Sequence, residues 1–381
     1  LVILEAGFTA NAGYFSYLQK KSAGTDASFG YLALAVPVIN KRWAVSFSLS
    51  PYSSAAYSLR DTSSFAPGLP VEMSSTATGG YSRMSLSNAV RLGKNLTVGL
   101  GLHYLFGRTD YLTETRFPED ENIRSSSLSK SQWLNGLDYG AGLVYQKRFH
   151  RPYTYERNSE GQKTGTRIFK GQDSLHLIVG MRFSPMLDLR GSQGMLATSF
   201  LGNYQYLDTL LYTDQNRGYV RLPMRAGLSF ALKNSHDKWL LMADLSYTDW
   251  NQFRNFGQAD SLRSSYRIGL GGQYQPRPDN LNSGIRNYFQ RIKYRAGLYY
   301  SDGYLQLSGR AIPEMGISIG LGLPFIWKTY NAHKSAIHSL NFALTASQKG
   351  FSSDKEICEQ ALRLSVAIAF NDRWFHKRQY E

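Results

Sequence analysis

The sequence predicts an all-β protein, a transmembrane antiparallel β-barrel of about 14 strands. Apolar residues alternate with small or polar ones along most of the 381 residues. Aromatic residues and glycine are abundant, with 26 Tyr, 20 Phe, 6 Trp and 35 Gly, although the mean hydropathy is only -0.35. The longest apolar run, residues 31–39, is far shorter than the roughly 18–20 residues of a membrane-spanning helix. Helical spans are therefore excluded. Barrel strands remain, because only half of their residues face lipid.

The period of two is clearest in the segments 96–107, 315–327 and 362–370. In the first of them, one face carries Leu96, Val98, Leu100, Leu102, Tyr104 and Phe106, and the other carries Thr97, Gly99, Gly101, His103 and Gly107. Successive side chains of a strand point to opposite faces, so each segment has one face that suits lipid. The apolar faces match the roughly 9–11 residues of a tilted membrane strand.

Turn signals separate these segments, and the connections are alternately short and long. The short ones are 40–42, 93–95 and 234–237, whereas long polar connections are predicted at 62–73, 118–127, 150–172 and 192–219. Long extracellular loops and short periplasmic turns are typical of barrels in the bacterial outer membrane. We therefore expect that localisation.

The pattern divides the chain into fourteen strands in one barrel domain over residues 1–381. The predicted strands are 1–18, 28–40, 43–60, 73–92, 96–115, 128–148, 173–190, 219–233, 238–253, 262–276, 290–306, 314–327, 336–347 and 360–371. The stretch 188–213 could supply an extra pair of strands.

Charge, cysteine and histidine content exclude several classes of protein. The formal net charge of +15 is spread along the chain rather than gathered on an arm, so we expect contact with outer-membrane lipid and lipopolysaccharide phosphates and none with nucleic acid. The one cysteine, Cys358, rules out a disulfide framework. None of the seven histidines has the spacing of a metal ligand, and nothing specific accompanies His103 or His176, the two candidates for an inward-facing catalytic histidine. We therefore expect no enzyme activity, no cofactor and no metal site.

Several segments resemble the long-chain fatty-acid transporter (FadL-type) family in order and spacing. They are Leu222-Pro-Met224, Ala243-Asp-Leu-Ser-Tyr-Thr-Asp-Trp250, Ser265-Tyr-Arg-Ile-Gly-Leu-Gly-Gly272, Arg295-Ala-Gly-Leu-Tyr-Tyr300, Gly316-Ile-Ser-Ile-Gly-Leu-Gly-Leu-Pro324 and Phe370-Asn-Asp-Arg-Trp-Phe375. The resemblance implies a fourteen-stranded barrel that takes up hydrophobic molecules, with an N-terminal hatch in the lumen and a kinked third strand that opens sideways into the membrane.

The sequence departs from that family at its beginning. No hatch segment precedes Leu1, and the family's Asn-Pro-Ala signature is absent. Either the hatch lies outside this sequence or it is missing, and a missing hatch would put gated transport in doubt.

The first candidate site is Pro51, with its neighbours Ser50 and Tyr52, in the predicted third strand. Proline cannot donate a hydrogen bond to the ladder, so it produces a bulge that can open a barrel wall. The alternative is that Pro51 lies beyond the membrane, where the strand enters a loop.

The second candidate is a set of charged side chains on the predicted inner face. These are Asp138, Arg182, Arg225, Asp244, Arg267, Lys293, Arg295 and Arg363. Arg225, Asp244 and Arg267 are expected on neighbouring strands and could form a cross-strand ladder. Such charges either fill and stiffen the interior or meet a carboxylate head group of a ligand.

Two functions remain open from the sequence. The first is a channel or transporter for hydrophobic small molecules, fatty-acid-like or aromatic, with lateral release near Pro51. The second is a non-transporting barrel subunit of a larger outer-membrane complex, in protein export or outer-membrane protein assembly, with protein partners at its wall or loops.

Overall fold

The computed structural model describes residues 2–17, 20–66, 69–118, 123–149, 153–157, 163–169, 175–201, 205–234, 237–277, 285–307, 309–326, 337–351 and 357–372. No helix in these parts of the chain is long and apolar enough to cross a membrane.

Fourteen strands form one closed antiparallel barrel. In chain order they are β1 (Val2–Tyr17), β2 (Lys20–Ile39), β3 (Trp43–Ser54), β5 (Leu69–Arg91), β6 (Leu96–Arg116), β7 (Ser125–Phe149), β10 (Leu175–Ser184), β13 (Arg225–Asn234), β14 (Trp239–Thr248), β17 (Ser265–Tyr274), β18 (Lys293–Ser301), β21 (Glu314–Ile326), β22 (Ile337–Gly350) and β23 (Cys358–Asp372). Each pairs with the next, and β23 pairs with β1, so the sheet closes on itself. The predicted fold class is confirmed.

Further elements extend or decorate this wall. They are β4 (Tyr57–Ala66), β8 (Tyr153–Arg157), β9 (Lys163–Phe169), β11 (Leu187–Leu201), β12 (Gln205–Leu222), β15 (Arg254–Asn255), β16 (Gln258–Ala259), β19 (Gln306–Leu307), β20 (Arg310–Ala311), a 3-10 turn (Trp250–Gln252) and the helix α1 (Ile285–Arg291). β4 continues β3, and the paired strands β11 and β12 continue β10 and β13. Strands therefore occupy most of the predicted polar loops 62–73 and 192–219. The stretch 188–213 does supply an extra pair.

The wall has an apolar outer face and an inner face of glycine, small and charged residues. Leu100, Ile317 and Ile319 are each more than 60% exposed on the outer face. On the inner face, small residues pair across strands, as Gly99 does with Gly142. The alternation predicted for residues 96–107 therefore corresponds to lipid on one side and the lumen on the other.

Two ends of the barrel can be distinguished by their connections. The turn end carries the short turns 40–42 and 92–95, and β13 ends and β14 begins there; the loop end lies opposite. The long connection after Phe149 leaves from the turn end, because the Gln146 N–H donates to the Asn95 carbonyl at 2.7 Å. The prediction that 150–172 joins the long loops at the other end was wrong. The alternation of strand direction sets the side on which a loop lies, whatever its length.

Candidate functional site: the kinked wall and the charged lumen

The third barrel strand is kinked at the proline that the sequence singles out. Pro51 pairs with Ser82, but the next paired residue is Ser53, opposite Tyr81, so Tyr52 is the extra residue of a bulge. The strand then breaks at Ala55 and Ala56 before β4 resumes the pairing with β5. Such bulges bend a strand and interrupt its ladder.

Glycines in the two following strands lie at the same level as this bulge. Gly80 pairs with Ser54 on one side and with Arg108 on the other. Gly79 and Gly107 have φ angles of 98° and 150°, which side-chain-bearing residues rarely adopt. A Cβ on Gly107 would overlap the carbonyl oxygen of Gly80. The bend therefore crosses three neighbouring strands, and glycine permits their close approach. In the sequence, the two adjacent glycines at 79 and 80 within a strand pattern were the feature that could have indicated this bend.

Inside the kink, the wall is covered by a packed apolar cluster. Its buried members are Leu105, Leu134, Leu189, Val220 and Leu222, with Tyr52, Tyr81, Phe253 and Phe256 packed against them. These side chains come from strands far apart in sequence. The bulge at Tyr52 is therefore closed from the lumen by the chain's own side chains.

The loop after β14 supplies part of this cover. Its β15 strand pairs with β12, and the Phe256 N–H donates to the Tyr219 carbonyl at 3.1 Å. The Phe256 ring lies against Gly191 and Gly218, where a Cβ would meet its ring atoms at 3.0 Å or less. Asp249 anchors the base of the loop by accepting hydrogen bonds from Ser264 and Gln252. The loop thus lies along the inner wall at the loop end.

Two more barrel strands are interrupted by a proline. Pro185 and Met186 separate β10 from β11, and Pro223 and Met224 separate β12 from β13. β7 pairs with β10 over residues 141–149 and with β11 over residues 125–135. Residues 136–140 of β7 lie between these two registers.

Asp138 lies in this interrupted stretch and is paired with Arg225 of β13. One carboxylate oxygen accepts a short hydrogen bond from the Arg225 guanidinium, and the Asp138 side chain is 1% exposed. Asp138 is on β7 and Arg225 on β13, so the ion pair spans the strand that lies between them. The pair therefore connects two strands across the break at Pro185.

The other predicted charges also lie on the inner face, mostly with local partners. Arg182 lies 3.5 Å from Asp244, and both side chains are well exposed to the lumen, at 64% and 45%. The Arg267 guanidinium lies over the Tyr299 ring at 3.9 Å. Arg295 donates to Gln273 and Asn341 at 3.0 and 2.9 Å, and Arg363 donates to Asn11 at 2.7 Å. Lys293 is opposite Gly322 in the register of β18 and β21.

This arrangement differs from the expected ladder of Arg225, Asp244 and Arg267. Ser229 and not Arg225 is directly opposite Asp244, and Ser246 is opposite Arg267. The three charges are on neighbouring strands but at different heights. Arg225 instead uses Asp138, which is 87 residues away in sequence.

Among the cavities on the lumen side of the wall, two are bordered by several of the predicted charges or their partners. One, of about 580 Å³, is bordered by Glu5, Tyr31, Met242, Arg295 and Asn341. The Tyr31 hydroxyl donates to the Glu5 carboxylate there at 2.7 Å. The other, of about 520 Å³, is bordered by Arg83, His103, Arg182 and Arg225 together with glycine and serine residues. Apolar side chains such as Phe8, Leu240 and Phe342 also border the first cavity, whereas glycine, small, polar and charged residues predominate around the second.

Across the described ranges, no three His, Cys, Asp or Glu side chains come together in a way that could hold a metal ion. The lumen arginines described above contact carboxylates, side-chain amides or an aromatic ring.

Solved outer-membrane channels share this fold. A FadL homologue from Pseudomonas aeruginosa matches with a TM-score of 0.54 at 12% identity, over 97% of this chain and 90% of that one. The toluene transporter TodX from P. putida matches with a TM-score of 0.52 at 11% identity, over 99% and 91%. The predicted resemblance to FadL-type proteins is thus confirmed for the fold. TodX is a transporter rather than an enzyme.

A search of curated proteins finds no match. One family model covers the chain from residue 1 to residue 381, the full length of the barrel described above, and by this match the chain belongs to the BamG family.

Proposed function

We propose that this chain is a barrel subunit of a larger outer-membrane complex, of the kind that exports proteins or assembles them in the outer membrane. The observation that carries the proposal is the state of the lumen. Tyr52, Phe253 and Phe256 of this chain pack against the buried apolar cluster on the inner wall. The kink in the wall is therefore closed by the chain's own side chains, which suits a structural subunit better than a channel with a side opening there.

The cavity beside Arg83 supports the same conclusion. Pockets for hydrophobic molecules are lined predominantly by apolar and aromatic side chains. Here the border carries Arg83, Arg182 and Arg225, with glycine and serine between them. Placing an alkyl chain or an aromatic ring there would remove water from these guanidinium groups without replacing their hydrogen bonds, which is unfavourable.

The turn end offers structured surface beyond the barrel. The β8–β9 hairpin and the helix α1 both follow strands that finish at this end. Phe289 on α1 is 55% exposed, and Leu92 beside the turn 92–95 is 65% exposed. Exposed apolar side chains outside the membrane mark surfaces that bind partners. The whole-length family match is to BamG, whereas the channels share only the fold.

Copurification tests this proposal. A tagged chain released from outer membranes in mild detergent should elute with at least one other protein at a near 1:1 ratio that survives size-exclusion chromatography. The control is a channel of the same fold, tagged and extracted identically, which should elute without that protein. If this chain elutes alone and carries a hydrophobic molecule in its lumen, the subunit proposal is wrong.

A second function is favoured by the kinked third strand. The bulge at Tyr52 and the break at Ala55 and Ala56 interrupt the ladder between β3 and β5. We propose as the alternative that hydrophobic molecules enter at the loop end and leave sideways at Pro51. This path requires Tyr52 and the apolar cluster behind it to move apart, which would briefly expose an apolar passage.

A disulfide across the kink tests the lateral path. Ser53 and Tyr81 are register partners, so Ser53→Cys with Tyr81→Cys, in a Cys358→Ser background, would lock the wall there. Uptake of a hydrophobic probe such as toluene into reconstituted vesicles should fall at least tenfold and recover after reduction. The matched control is Ser46→Cys with Ser87→Cys, a regular pair of the same strands. Equal uptake with both pairs locked contradicts lateral release.

A further inference from the structure

We propose that the lumen contains a binding site for a small oxyanion, formed by Arg83, His103 and Arg225. The ligand chemistry is a phosphate or carboxylate group, with phosphate the better fit. The site is independent of the proposed function, because it concerns the inner face alone.

The three side chains border one cavity. Arg83 pairs with Ser50 of β3, and Ser85, two residues further along β5, pairs with His103 of β6. His103 in turn pairs with Asp138, the partner of Arg225. The cavity in front of them measures about 520 Å³, within the range of roughly 300–1,000 Å³ that is usual for small-molecule sites.

The charges around this cavity are not balanced. Asp138 compensates Arg225, and Asp244 lies near Arg182, which borders the same cavity. Arg83 has no carboxylate within ion-pair distance among the described residues, and its guanidinium lies 5.9 Å from the Tyr52 ring. One positive charge is therefore left facing the cavity. An unpaired positive charge in a partly buried site attracts an anion.

Each of the three side chains on the cavity's border has a buried polar atom without a partner, and so does Asp138 beside Arg225. These atoms are Arg83 Nε, His103 Nδ1, Arg225 Nε and Asp138 Oδ1, none of which has a hydrogen bond within the described residues. Buried polar groups are almost always hydrogen-bonded, so four such atoms together indicate a missing ligand or water. The two guanidinium groups offer N–H donors in the fixed geometry that binds oxyanions.

The number of donors distinguishes the two oxyanions. Arg83, His103 and Arg225 border the cavity from three different strands, β5, β6 and β13. The four oxygens of a phosphate can accept from all three side chains at once, whereas a carboxylate has only two oxygens. The set of donors therefore fits a phosphate best.

Glycine keeps the site open. A Cβ on Gly101 would meet the His103 ring at 3.0 Å, and a Cβ on Gly140 would press against Ser184. The inner wall here thus has room for a ligand beside His103, and side chains on these glycines would take it up.

Calorimetry of the folded barrel in non-ionic detergent tests the site. Inorganic phosphate is titrated into the wild-type chain, Arg83→Gln and Arg363→Gln. Arg363 faces the lumen too, but it binds Asn11 and lies outside this cavity, so it is the matched control. We expect Arg83→Gln to weaken phosphate binding at least tenfold and Arg363→Gln to change it less than twofold. Heat-modifiable migration in gels verifies that each variant is folded.

Two further titrants identify the source of the oxyanion. Acetate should bind more weakly than inorganic phosphate, because its two oxygens cannot accept from all three side chains. Dihexanoyl phosphatidic acid tests a lipid headgroup, and stronger binding than inorganic phosphate would assign the site to a lipid. An absence of binding by all three anions overturns the proposal. So does an equal loss in the two arginine variants, because that would reflect the general potential of the lumen.

Discussion

Replacing Asp138 with Asn is expected to destabilise the folded barrel by about 3–5 kcal/mol, the cost of removing one partner from a buried ion pair. Arg225 would keep its charge in a place where only 26% of its side chain is exposed, without the carboxylate that now compensates it. The strand break at Pro185 would also lose the contact that spans it. Urea unfolding in detergent, followed by tryptophan fluorescence, measures the change.

The matched control is Asp244→Asn. The Asp244–Arg182 pair faces the lumen with both partners well exposed, so its loss should cost less than about 1 kcal/mol. The double variant Asp138→Leu with Arg225→Met should recover most of the lost stability, since it leaves no unpaired charge. Similar small losses in Asp138→Asn and Asp244→Asn would contradict the structural role of the buried pair.

Replacing Gly107 with Ala is expected to reduce the folded fraction sharply, at a cost of at least about 2 kcal/mol. Its φ of 150° is poorly accessible to alanine, and the new Cβ would overlap the backbone oxygen of Gly80. Because the obstacle is backbone, no rotation of a side chain can relieve it. The folded fraction is measured by heat-modifiable migration, in the refolded protein and in outer membranes.

Gly269→Ala is the control for this prediction. Gly269 also lies on a barrel strand, but no atom lies within 4 Å of a Cβ built there. Alanine at that position should leave the folded fraction unchanged. If Gly107→Ala folds as well as Gly269→Ala, then the close approach of the three kinked strands does not matter for stability.

Much of the barrel wall follows from local patterns. The strand predicted at 96–115 is observed as Leu96–Arg116, because a period of two specifies which side chains face lipid without reference to any other strand. The interruption near Pro51 was also predictable, since a proline cannot donate to the ladder whatever its neighbours are. These features depend on residues adjacent in sequence.

Other features were not predictable, and the reasons are physical. The pairing of Asp138 with Arg225 depends on the heights of two strands separated by 87 residues, so the charge pattern suggested Asp244 instead. The length of the connection after Phe149 suggested the loop end, although strand direction places it at the turn end. Polar segments such as 192–219 resemble loops, because strands that extend beyond the membrane no longer need an apolar face.

The sequence by itself determined that this chain forms a membrane barrel of about fourteen strands, because alternation, aromatic content and the absence of long apolar runs are properties of each strand alone. Only the tertiary structure decided what occupies the barrel. Leu105, Leu189 and Leu222 become one cluster, and Arg83 is left facing a cavity, because curvature brings distant strands to the same height. Packing and unpaired charge inside a closed wall depend on that curvature, which no local pattern contains.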